Sequence, residues 1–94
     1  MSLKEIIDKE IKNAMLNKNK IRLIALRSIK SSILLHEKSD SGTNTLTKEK
    51  EMQILMKNVK QRNDSKELYV KEGRKDLAKI EDEEIKIISE FLPN

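Results

Sequence analysis

IRLIALRSIKSSILL, the run from Ile21 to Leu35, is the stretch on which the fold turns. Nine of its fifteen residues are apolar (Ile21, Leu23, Ile24, Ala25, Leu26, Ile29, Ile33, Leu34 and Leu35), against 36% for the whole chain. At about 100° per residue these side chains cover most of a helix circumference. Arg22, Arg27, Lys30 and Ser31 leave a broken polar strip. A helix that is apolar nearly all round has to be covered on several sides. Fifteen residues also exceed an ordinary strand. The run therefore predicts a central helix with the rest of the chain packed about it.

The flanking segments read as helices too. Ser2-Leu3-Lys4-Glu5 is a capping box, and Leu3, Ile6, Ile7, Ile11, Ala14 and Met15 then recur at helical spacing as far as Asn17. Asn17-Lys18-Asn19-Lys20 breaks the pattern, with Asn19 placed to cap the central helix. A break this short makes the first two helices antiparallel neighbours. The central helix fades at His36-Glu37-Lys38 into Ser39 to Thr45 (SDSGTNT), which reads as a mobile loop. Thr47 caps a third helix with Glu49 and Glu51 in its first turns, an apolar stripe of Met52, Leu55, Met56 and Val59, and Gly73 as the residue that ends it. A fourth helix starts near Lys75 or Asp76, carries Leu77, Ile80, Ile85, Ile87, Ile88, Phe91 and Leu92, and stops at Pro93. No strand and no internal repeat is visible. The expected fold is all-α, a four-helix antiparallel bundle-like domain with a long hairpin of helices 3 and 4.

Composition agrees. Ninety-four residues make one domain, and Ala, Glu, Lys, Leu and Arg supply about half of them. With Tyr69 and Phe91 as the only aromatic residues, recognition of single-stranded RNA by base stacking is not expected. The absence of cysteine excludes a disulfide, a thiolate metal site and a cysteine nucleophile. Neither a signal peptide nor an apolar run of about 18 residues is present, so a cytoplasmic protein with no membrane association is expected. The net charge of +4 is uneven. Residues 9–30 hold seven basic side chains (Lys9, Lys12, Lys18, Lys20, Arg22, Arg27 and Lys30) and one acid, while residues 76–90 hold two basic and six acidic ones. Such asymmetry suits a nucleic-acid or acidic-protein partner, and equally a solvated helix face. His36, the only histidine, stands at a helix end, where it reads as a carbonyl cap or a solvent-facing group.

The apolar pattern fails in two places. The stripe of helix 3 should continue to positions held by Arg62, Asn63 and Lys66, and the middle of the helix 4 face is occupied by Glu84 with Glu81 beside it. In an antiparallel hairpin turning near Arg74, Arg62 comes within one turn of Glu84, and Lys66 comes near Glu81 and Asp82. One reading is a partly buried Arg62–Glu84 (or Glu81) ion pair that fixes register. The other is a guanidinium and a carboxylate displayed to a ligand.

Lys60-Gln61-Arg62-Asn63-Asp64-Ser65, Glu72-Gly73-Arg74-Lys75-Asp76-Leu77-Ala78, Glu84-Ile85 and Phe91-Leu92-Pro93, in this order and spacing, resemble the YqeY family. Lys20-Ile21-Arg22-Leu23 and Leu26-Arg27-Ser28-Ile29-Lys30 resemble its opening helices. The motif residues are then Gln61, Arg62, Asp64, Ser65, Gly73, Arg74, Asp76 and Leu77. Asn63 departs from the family's usual second arginine, Lys66 from an apolar residue and Phe91 from tyrosine. The resemblance implies that residues 1–94 form the family's N-terminal helical domain, without the second, smaller helical domain that follows Leu-Pro in other members. The family is similar to the tail of GatB, the B subunit of the tRNA-dependent amidotransferase, which implies a link to tRNA and to carbon–nitrogen ligase chemistry with glutamine as amido donor.

The residues themselves do not support such chemistry in this chain. Amide transfer needs a base-activated nucleophile and oxyanion donors. Ser28, Ser31 and Ser32 beside Lys30 lack the glycine-rich surroundings of an amidase centre, and there is no phosphate loop and no carboxylate–histidine cluster for a metal. No cofactor is expected. Two functions remain open: a non-catalytic tRNA-binding accessory module, using the seven basic residues of 9–30 as phosphate contacts, or a protein–protein adaptor that docks another protein or the second domain.

Overall fold

The structure is a computed structural model, and it describes residues 1–39 and 46–93. The N-terminal capping box forms: the Glu5 amide donates to Ser2 Oγ at 3.2 Å, and the Ser2 amide reaches Glu5 Oε1 at 3.4 Å. Helix α1 (Leu3–Leu16) ends in a turn in which Lys18 takes a left-handed φ of 54°. Asn19 Oδ1 then accepts the amide of Arg22, starting α2 (Lys20–Ser39). Thr47 Oγ1 caps α3 (Lys48–Lys71) through the Lys50 amide. Gly73, at φ 74°, closes α3 in a Schellman-type turn, with the Arg74 amide bonded to the Tyr69 carbonyl at 2.8 Å. Helix α4 (Lys75–Ser89) runs back along α3. Among the described residues there is no strand.

The 24 residues of α3 span about 36 Å at 1.5 Å per residue, and this hairpin sets the long dimension of a body 45 × 28 × 26 Å. Helix α2 touches all three others. It contributes Ala25, Leu26, Ile29 and Ile33, all fully buried, against Leu3, Ile7 and Ala14 of α1, Leu55 of α3 and Ile88 of α4. The run from Ile21 to Leu35 is thus the centre of the core.

Three details depart from the sequence pattern. The outer side of α2 is uncovered: Ile24 is 54% and Leu35 69% exposed, because the other three helices enclose only the side that carries Ala25, Leu26, Ile29 and Ile33. Helix α2 does not fade at His36 but continues to Ser39, and the rest of the stretch read as a mobile loop, residues 40–45, lies outside the described residues. On α1 Met15 faces water, and on α3 Met52 and Met56 do so too. The row that α3 turns inward is Leu55, Asn58 and Arg62, rotated away from the two methionines because polar residues hold part of the interface.

Candidate functional site

A polar layer crosses the bundle. The Ser28 hydroxyl on α2 donates to Asn58 Oδ1 on α3 at 2.8 Å. Asn58 Nδ2 donates to the Ile54 carbonyl at 2.8 Å and to Ser32 Oγ at 3.2 Å, and the Ser32 hydroxyl donates to the Ser28 carbonyl. One turn further along α3, Arg62 Nε donates to Glu84 Oε2 at 2.8 Å, and its Nη1 lies 3.4 Å from both oxygens of Asn58. Asn58 is only 2% exposed, and the Arg62 and Glu84 side chains are 13% and 9% exposed. Three helices are therefore joined by one continuous set of hydrogen bonds, whose directional demands fix how the helices slide past one another.

Glu81 stands beside this layer without joining it. Its Oε2 is buried with no hydrogen-bond partner, and among the described residues Arg62 makes no ion pair with it. Burial, reinforced by the charge of Glu84, raises the Glu81 pKa despite the opposing pull of Arg62. Asp82 behaves oppositely: the hydrogen bond from Lys66 Nζ, 3.0 Å from Oδ1, lowers its pKa. Glu10 is likewise lowered, by Arg22.

A pH profile follows from these signs. Glu81 weakens the fold above its raised folded pKa, and this cost is relieved as pH falls through that value towards the ordinary 4.5. Asp82 and Glu10 strengthen the fold above their ordinary values of 3.8 and 4.5 and lose that contribution as pH falls towards their folded values. Stability should therefore peak in mildly acid solution. Glu81→Gln should raise the melting temperature at pH 7 and flatten the profile on the neutral side of the peak. A variant profile running parallel to that of the unmodified chain would contradict this assignment.

The basic residues of the first two helices divide into two groups. Arg22 lies between Glu10 Oε1 at 2.7 Å and Glu90 Oε2 at 2.9 Å, and Lys30 is paired with Asp8. These two, read from the sequence as phosphate contacts, are committed to intramolecular pairs that join α1, α2 and the end of α4. Lys9, Lys12, Lys18, Lys20 and Arg27 are exposed, and among the described residues none of them meets a carboxylate.

The motif residues scatter. Arg62 points inward, Ser65 and Leu77 are half-buried, and Gln61 and Asp64 face outward, Asp64 bonded to Lys60 at 3.0 Å. Gly73 and Arg74 form the turn, and Arg74 pairs with Asp76 at the surface. Ser28 and Ser32 spend their hydroxyls on Asn58 and on the Ser28 carbonyl, an arrangement that builds structure rather than a nucleophile. Asn58 was missed in the sequence, where a single asparagine inside a helix is indistinguishable from a surface residue. Its one signal is that it stands one turn after Ile54 and one before Arg62. Among the described residues no group of acids and histidines is placed to hold a metal, and no helix is long and apolar enough to cross a membrane.

Compared with known families, residues 4–94 match the model described as Yqey-like protein. The chain belongs to the YqeY-like family. Two curated relatives carry the name "Altered inheritance of mitochondria protein 41, mitochondrial". The one from Clavispora lusitaniae is 39% identical over 84 residues, covering 88% of this chain and 47% of that protein. The one from Candida glabrata is 31% identical over 86 residues, covering 92% of this chain and 47% of that protein. This YqeY-like chain thus spans about half the length of the curated relatives it matches. Their names overturn the cytoplasmic expectation: the absence of a leader-like stretch carried that inference, yet the relatives are named as mitochondrial proteins.

Proposed function

We propose that this YqeY-like domain is a non-catalytic helical accessory module that binds RNA of the tRNA class through its phosphate backbone and acts in tRNA presentation linked to tRNA-dependent amidation. The observation that carries this reading is the contrast between the two groups of cations. The fold neutralises Lys4, Arg22, Lys30 and Lys66 with its own carboxylates, yet leaves Lys9, Lys12, Lys18, Lys20 and Arg27 in water without partners among the described residues. Unpaired lysines and arginines attract a polyanion and release its counterions.

A filter-binding titration with deacylated tRNA at several salt concentrations tests the proposal. Five phosphate contacts predict that the logarithm of the affinity falls with the logarithm of salt at a slope of about −4. A second reading rests on the apolar groove of about 460 Å³ where Leu3 and Ile6, Met52 and Leu55, and Phe91 and Leu92 converge. There the domain is a protein–protein adaptor. Absence of saturable tRNA binding at low salt would reject the RNA module and leave the adaptor standing.

A further inference from the structure

The seam between α2 and α3 carries the Ser28–Ser32–Asn58 part of the polar layer. Ser28, Ser32 and His36 stand at successive turns of α2, and Ser28 and Ser32 meet Asn58 of α3. Beside this contact the seam opens into a groove of about 340 Å³. One wall is α3, with Lys50, Gln53, Lys57 and Gln61; the other is α2, with Ser32 and His36. Positions i, i+3, i+7 and i+11 lie on one face of a helix, so the four α3 side chains form a row about 16 Å long. All four donate hydrogen bonds. Among the described residues no aspartate or glutamate lines the groove. Among the described residues neither Lys50 nor Lys57 meets a carboxylate, although Lys60, one turn from Lys57 and outside the groove, pairs with Asp64.

A row of donors with two uncompensated ammonium groups is complementary to an anion with many acceptor oxygens. Its length exceeds one phosphate and suits a chain of them. Beside the groove, the Asn58 side-chain amide bonds at once to the Ile54 carbonyl, Ser28 and Ser32, which ties the two walls together. Leu35 and Ile54 add an apolar flank.

We propose that the α2–α3 groove holds the phosphodiester backbone of RNA, with Lys50 and Lys57 on successive phosphates of the strand and Gln53 and Gln61 donating to their oxygens. This rests on the RNA reading above and deepens it: to the phosphate contacts of the exposed cations on α1, the α1–α2 turn and α2, the groove adds two more at fixed positions.

The test is a titration of the ¹⁵N-labelled chain with an RNA hairpin at low salt, repeated with Lys50→Gln/Lys57→Gln and with Lys9→Gln/Lys12→Gln. Glutamine is a good helix former, so all three proteins should fold. The expected result is amide shifts centred on Gln53, Lys57 and Gln61, with affinity falling about tenfold in the groove variant and several-fold less in the α1 variant. Hairpin binding with shifts on α1 and unchanged affinity in the groove variant would overturn the groove and leave the RNA reading intact. No hairpin binding to any of the three would remove both. Groove shifts produced by inorganic phosphate as strongly as by the hairpin would mark a small-anion site and also overturn the proposal.

Discussion

Arg62→Ala is expected to lower the stability of the domain by about 3 kcal/mol, because it leaves the Glu84 carboxylate buried without a counter-charge. The Arg62 and Glu84 side chains are only 13% and 9% exposed, so solvent screens this pair far less than the surface pairs such as Lys60–Asp64. At about 4–8 °C per kcal/mol for a domain of this size, the melting temperature should fall by more than 10 °C. Lys60→Ala, which breaks an exposed i,i+4 pair, should shift it by only a degree or two. Equal shifts for the two variants would show that Arg62 is not held as the 2.8 Å contact to Glu84 implies.

Ile29→Ala should be about as damaging. Ile29 is fully buried at the middle of α2, inside the cluster to which all four helices contribute. Deleting its outer methylene and methyl groups leaves a cavity that the helices close only in part, at a cost of about 3 kcal/mol. A domain of 94 residues has roughly 5–14 kcal/mol in total. Denaturant unfolding should show a large fall in midpoint with an unchanged slope. Ile24→Ala, one turn away on the exposed side of the same helix, should change stability by less than about 0.5 kcal/mol. If Ile24→Ala costs as much as Ile29→Ala, the outer side of α2 is covered in solution.

The contrast between Ile24 and Ile29 also marks how far the sequence could be read. Four helix boundaries were legible because they carry their own chemistry: Ser2 with Glu5, Asn19, Thr47 and Gly73 act as caps or terminators where their side chains or φ demand it. The ends of α2 and α4, expected at His36 and Pro93 and found at Ser39 and Ser89, were not. The core was legible in outline, since the run from Ile21 to Leu35 is far richer in apolar residues than the rest. Which side of that run would be covered was not legible. Nine apolar positions on fifteen residues leave too weak a polar strip to orient the helix, so Ile24 and Leu35 look as buried as Ile29 and Ile33.

In the polar layer, Arg62 and Glu84 are conspicuous because each interrupts an apolar stripe. Asn58 is not, because it lies next to Val59, which carries the stripe on. Read this way, the stripe passes through Met52 and Met56, which face water. The groove was illegible for a different reason. Lys50, Gln53, Lys57 and Gln61 have the composition of any solvated helix face, and only the polar seam with Ser28 and Ser32 sets them along a cleft.

The layer from Ser28 to Glu84 is internal framework, not a displayed ligand site, and the thermal melt of Arg62→Met/Glu84→Leu tests that most directly. Removing both charges together abolishes the stranded carboxylate and fills the space with apolar volume. The double variant should therefore regain most of what Arg62→Ala loses and melt within a few degrees of the unmodified chain. A double variant that melts as low as Arg62→Ala, or lower, would contradict it.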